Sequence, residues 1–150
     1  MSAALHLAGV DDIDQLLRLV AAFHTEEGIE QTDTAREAAL RPLLEGSPHG
    51  AAYLIGPKRA PIGYVIVTFT WSLEFGGLDA LIDELFVRPG VRGRGIGTEV
   101  LLSLSRALAG AGVQALHLEV DRENEAGRRL YEKTGFRAKD RYVLMTRPLS

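Results

Sequence analysis

Residues 87–97 read Val87-Arg88-Pro89-Gly90-Val91-Arg92-Gly93-Arg94-Gly95-Ile96-Gly97. An apolar run, Leu78 to Val87, precedes them and reads as a strand that Pro89-Gly90 stops. After them Ile96, Val100, Leu101, Leu104 and Leu108 recur at helical spacing. A glycine-rich link between strand and helix can bend tightly and let a ligand approach the backbone amides. The first N–H groups of the helix lack intrahelical partners and carry the positive end of its dipole. Such a loop suits an anion, and Arg92 and Arg94 add formal charge. A tight turn with solvated arginines is the simpler alternative, but two arginines among three alternating glycines favour phosphate. A P-loop needs Gly-Lys-Ser/Thr, and this loop has no lysine. A dinucleotide fingerprint fits at Gly93 and Gly95, but Thr98 takes the third glycine's place. That motif would also come too late for a doubly wound sheet, although Glu119 lies at a tolerable distance for a ribose contact.

Outward from the loop, the pattern is that of an α/β chain. Residues 3–7 read as a short strand, and Asp11 or Asp12 caps a helix that Gly28 stops. Thr32-Asp33-Thr34 starts a second helix running to about Leu44, its end weakened by Pro42. Ala51–Ile55 and Ile62–Thr70 read as a hairpin across the turn at residues 56–61. Trp71 to Gly77 breaks the pattern before the strand at Leu78. Val113–Val120 is a further strand. Asn124 caps a helix to about Thr134, with Gly135 as its stop. Phe136–Met145 is expected to supply one or two final strands. No repeat or linker divides the chain, so residues 1–150 read as a single domain.

Composition narrows the classes. Of 150 residues 46% are hydrophobic and 25% charged, which excludes global disorder. With no cysteine there is no disulfide scaffold, thiolate metal site or cysteine nucleophile. The net charge of −3 argues against a nucleic-acid partner. The halves differ: residues 1–87 hold 5 Lys/Arg and 13 Asp/Glu, net −8, and residues 88–150 hold 12 and 7, net +5. No basic–apolar leader, lipidation signal or membrane-length apolar run is visible, so a soluble cytoplasmic protein is the expectation. His6, His24, His49 and His117 lack metal-ligand spacing, and no metal is expected.

Arg92-x-x-Gly95-x-Gly97 resembles the Arg/Gln-x-x-Gly-x-Gly/Ala signature of the GCN5-related N-acetyltransferases, the GNAT family. Glu84-Leu85-Phe86-Val87-Arg88-Pro89 is similar to that family's strand before the loop. A second block, Leu118-Glu119-Val120-x-x-x-Asn124 and Leu130-Tyr131-Glu132-Lys133-Thr134-Gly135-Phe136, resembles its next strand and helix. Order and spacing match across about residues 80–137. The resemblance implies a mixed, mostly antiparallel sheet of six to seven strands, flanked by about four helices. That sheet would splay between the strands ending at Val87 and Val120. It further implies acetyl-CoA in the gap. Backbone groups of Leu85, Phe86 and Val87 would meet the pantetheine arm and acetyl carbonyl. Amides of Arg92, Gly93, Arg94, Gly95, Ile96, Gly97 and Thr98 would hold the pyrophosphate, and Asn124 would bond the arm. The basic second half suits so anionic a ligand.

Acetyl transfer to an amine needs a base, because an alkylamine with pKa near 10.4 is mostly protonated at pH 7. Glu84 and Glu119, on the two strands of the expected splay, are the candidates; salt-bridge roles are the plain alternative for each. Asp83 is expected to point away from Glu84. The resemblance puts Tyr131 beside the sulfur as hydrogen donor to the departing thiolate; packing on the helix is its alternative. The first two helices and the Trp71–Gly77 segment carry His24, Glu26, Glu27, Glu30, Trp71, Glu74 and Phe75. Carboxylates with aromatics suit a cationic amine. The expected activity is acetyl transfer to a small amine in a ternary complex. A protein N-terminal or lysine acetyltransferase and a non-catalytic CoA-binding module are the alternatives. Exposed aromatics make a homodimer reasonable.

Overall fold

The computed structural model describes residues 3–150, in two compact units, Met1–Glu119 and Val120–Ser150. In the first, strand β1 (Leu5–Leu7) leads through a 3-10 turn to α1 (Ile13–Glu27) and α2 (Asp33–Leu44). Then come β2 (Gly50–Ile55), β3 (Gly63–Ser72), β4 (Gly77–Val87), α3 (Ile96–Gly110) and β5 (Ala115–Leu118). The second unit holds α4 (Glu125–Lys133).

Local chemistry sets the helix ends. Gly28 takes the left-handed conformation, φ 70°, that closes α1. The Thr32 hydroxyl accepts the Ala35 N–H at the start of α2. Asn124 caps α4 in the same way, through Gly127 N–H.

The five strands order β1-β2-β3-β4-β5, antiparallel except for the parallel pair β4–β5. On one face, Leu16, Leu19 and Val20 of α1 and Leu40 and Leu44 of α2 join Ala52, Leu54, Tyr64, Ile66 and Phe86 in one apolar cluster. Val65 and Val67 alternate to the other face and are equally buried, which requires a second layer. α3 carries a buried stripe, Ile96, Val100, Leu101, Leu104 and Leu108, that is apolar enough for such a layer.

The sheet has five strands among the described residues, not six to seven. Residues 136–150 form none, and Tyr142, Val143, Leu144 and Met145 are 66–90% exposed. Alternation assigns faces to a strand, but a strand exists only by pairing, and no ladder receives this segment.

One irregularity shapes the site. The β3–β4 register shifts between Ile66 and Val67: Ile66 pairs with Glu84 and Val67 with Ile82, leaving Asp83 as the extra residue of a bulge. Glu84 and Phe86 therefore share the α1 face with Ile66 and Tyr64. Ile82, two residues earlier, lies on the opposite face with Val67.

Candidate active site

The parallel ladder between β4 and β5 runs only from Asp79↔Ala115 to Ile82↔Leu118. Past that last pair the next residues are Asp83 and Glu119. Arg88 donates its N–H across the other edge, to Ile62 O at 2.8 Å. By the alternation of an antiparallel ladder, Phe86 faces β3, whereas Leu85 and Val87 turn their N–H and C=O to the edge that β5 leaves open. The break expected from sequence thus sits at Ile82/Leu118.

Carboxylates gather at its start. The Asp83 carboxyl is raised above the usual range by desolvation, then by the charges of Glu84 and Glu119, against a smaller opposing effect of His24. Glu84 is held by two donors. Tyr64 O–H donates to Oε1 at 2.8 Å, and His24 Nε2 lies 2.8 Å from Oε2. Arg36 Nε–H donates to His24 Nδ1 at 3.0 Å. That acceptor role leaves the imidazole proton on Nε2, where it donates to Glu84. Arg36 in turn pairs with Asp33 at 3.0 Å. Burial, with the neighbouring Glu84 charge and hydrogen bond, drives the Tyr64 phenol far above its ordinary value, so it stays a donor. Four segments, α1, α2, β3 and β4, thereby fix one carboxylate.

At the far end of β4 the glycine loop begins. Gly93 and Gly95 have φ +80° and +76°, and a Cβ on either would meet no atom within 4 Å. The first amide to return a bond to the helix is Glu99 N–H, to Gly95 O at 3.2 Å. Among the described residues the amides of Gly93 to Thr98 have no hydrogen-bond partner, whereas Arg92 N–H donates to Pro89 O. The loop is therefore a row of donors beside open space, the cradle a pyrophosphate needs. The two arginines behave differently. Arg92 grips both oxygens of Glu26 at 2.9 and 2.8 Å, donates from Nε to Val87 O at 2.7 Å, and lies over the Phe86 ring. Its charge is already matched. The Arg94 side chain has no ion pair among the described residues and is exposed.

The remaining candidates are scattered. Glu27 ends α1 and is exposed, close in sequence to the engaged Glu26. Trp71 is 72% exposed on the β3–β4 hairpin, Glu74 lies at its tip, and Phe75 packs edge-on against His117 at 5.6 Å. His117 itself meets Asp79 at 2.9 Å. Within the second unit, Tyr131 is half-buried and packs edge-on against Phe136 at 6.0 Å. The Asn124 Oδ1 accepts the Gly127 N–H of the cap. Sequence reasoning missed Tyr64 and Arg36. Each looks like ordinary strand or helix content: the register of β3 against β4 brings Tyr64 to Glu84, and Arg36 reaches the site only through His24, from α2 beside α1. Among the described residues no helix is long and apolar enough to cross a membrane.

The sequence matches the acetyltransferase (GNAT) family over residues 13–136, and the chain belongs to that family. A mycothiol acetyltransferase from Nocardiopsis dassonvillei is 42% identical over 129 residues, which is 86% of this chain and 28% of the relative. The chain spans less than half the length of the curated relatives it matches. An integron cassette protein from the mobile metagenome of Cole Harbour Salt Marsh is 29% identical in sequence. Its structure aligns with a TM-score of 0.84, over 97% of this chain and 90% of that one. The ribosomal-protein-alanine N-acetyltransferase of Brucella melitensis, at 19% identity and TM-score 0.76 over 99% of this chain and 100% of its own, shares the fold.

Proposed function

We propose that this protein is an acetyl-CoA-dependent N-acetyltransferase acting on the primary amine of a small cationic molecule, by direct attack in a ternary complex. The observation that carries the reading is the broken β4–β5 ladder, with carboxylates at its start and a row of unpartnered amides at its end. Acetyl-CoA fits the residues present, because the Gly93–Thr98 donors answer its phosphates and the two missing Cβ atoms leave room for them. Bound there, it supplies an acetyl thioester, whose C–S bond breaks as the amine nitrogen forms the new C–N bond.

The chain does the rest. The outward Leu85 backbone and the Val87 N–H hold the pantetheine arm, Val87 O being taken by Arg92, and an amide of this strand donates to the carbonyl oxygen as charge develops on it. Asp83, Glu84 and Glu119 attract an ammonium group, and Glu84 takes its proton. Each Glu84 oxygen already accepts one bond and keeps lone-pair capacity for another. Glu119 is the second candidate base. Tyr131 donates to the departing sulfur, a role supported by the family pattern around Leu130–Phe136. Glu27, Trp71, Glu74 and Phe75 contact the acceptor. Glu26 acts through Arg92, which it holds.

The test is release of the CoA thiol from acetyl-CoA with amines, amino acids, aminoglycosides, polyamines and peptides. Release with a small amine is expected. Release with peptides alone would move the substrate to proteins. Tight acetyl-CoA binding without release to any acceptor would leave a CoA-binding module.

A further inference from the structure

A cavity of about 530 Å³ lies in the first unit, and none of the Gly93–Thr98 amide donors is in its walls. Its walls are α1, the β2–β3 turn and the end of β4, and they bring together Arg18, Arg59 and Arg88. No Asp or Glu lines it. None of the three guanidiniums has an ion pair or hydrogen bond among the described residues, whereas Arg36, Arg41 and Arg92 are all paired with carboxylates. Residues 1–87 contain only 5 Lys/Arg against 13 Asp/Glu. Two of those five nonetheless line this cavity. All three arginines are exposed, so solvent screens their repulsion in part, but an anion in this space would meet three donors of one sign at once.

The rest of the wall says more about the ligand. Leu19, Pro61, Phe86 and Pro89 give it an apolar floor with one aromatic ring. Gln15 also lines it, and the Gln15 Oε1 atom is buried without a donor. A volume of this order suits a small organic molecule rather than a bare ion. We propose that the cavity is a second binding site, for a small organic acid or phosphate monoester with an apolar, ring-sized body. The acid group meets Arg18, Arg59 and Arg88, and the body rests on Phe86 and the prolines. The cavity adjoins the glycine loop, since Arg92 lies over the same Phe86 ring, but none of the Gly93–Thr98 donors lines it, so the proposal does not rest on the acetyl-transfer reading.

Phenyl phosphate, titrated into the full chain by calorimetry with and without coenzyme A, tests it. One saturable site is expected, unchanged by coenzyme A and weakened by salt. Arg18→Gln and Arg88→Gln should each weaken it about tenfold, the scale of one charge-assisted hydrogen bond, while Arg41→Gln leaves it unchanged. Inorganic phosphate should bind more weakly than phenyl phosphate, for want of the apolar body. Four results would overturn the proposal: no saturable binding; equal affinity in the Arg18→Gln/Arg88→Gln variant; equal affinity for inorganic phosphate; or loss of the signal when coenzyme A is added. The last would assign the cavity to the coenzyme's own site.

Discussion

Glu84 sits between two donors, and each can be removed without touching the carboxylate. Tyr64→Phe deletes one buried bond to a charged group and should cost about 1.5–3 kcal/mol, read from denaturant midpoints. Glu84→Gln should lower kcat about 10²-fold or more if Glu84 takes the amine's proton, with cofactor affinity little changed. If the Glu84–His24 contact serves only the fold, stability falls and turnover does not. Asp83 makes the opposite case. Desolvation and the Glu84 and Glu119 charges raise its folded pKa, so its ionised form weakens the fold, by a small amount because Asp83 is exposed and solvent screens it. That penalty is absent below the ordinary carboxyl pKa and complete above the folded one. Asp83→Asn should therefore raise Tm at pH 7 and leave it nearly unchanged at pH 3. Tyr131→Phe keeps the ring against Phe136 and removes only the hydroxyl. A donor to the thiolate predicts a kcat loss of about 10²-fold with Tm unchanged; a packed tyrosine predicts the reverse pattern.

At the scale of elements, the loop between β4 and α3 can be tested by its conformation alone. A side chain at Gly95 meets no protein atom but must adopt φ +76°, a cost of about 1–2 kcal/mol. Gly95→Val should thus leave a folded protein, by circular dichroism, that no longer binds acetyl-CoA, because the added side chain fills the space in front of the amides. This loop was legible in sequence for the same reason that the caps at Thr32 and Asn124 were. Turn and cap chemistry is written within a few consecutive residues. The Asp83 bulge is not local. It depends on which β3 residue faces which β4 residue, and it reverses the face that simple alternation gives Ile82 relative to Glu84. His24 and Glu84 are 60 residues apart, and neither carries a mark of the other. The failed strands at Phe136–Met145 show the same limit from the other side. Their apolar character was readable, but the partner that a strand requires was not.

Over the whole molecule the charge is divided, with net −8 in residues 1–87 and +5 in residues 88–150. The acidic part carries the carboxylates proposed to receive a cationic amine, and the basic part begins with the donor loop. A polyanionic ligand and a cationic one would each find an attractive field, and both associations should weaken with ionic strength. Arg92 contributes less to this field than its charge suggests, because Glu26 matches it. Arg92→Ala should act mainly by freeing Val87 O and Glu26. Its effect on the salt dependence of acetyl-CoA binding should be smaller than that of Arg94→Ala, as titrations at two ionic strengths would read. The most general expectation concerns stability. A ligand that binds only the native state, present at one hundred times its Kd, adds about 2.7 kcal/mol. For a chain of this size that is a rise in Tm of about 5–11 °C. Acetyl-CoA should produce such a shift, and Gly95→Val should abolish it. NAD and ATP also bring phosphates to the loop, but neither has an arm to lie along Leu85 and Val87, so their shifts should be much smaller. A larger shift with NAD than with acetyl-CoA would mean that the open edge of β4 holds a different ligand.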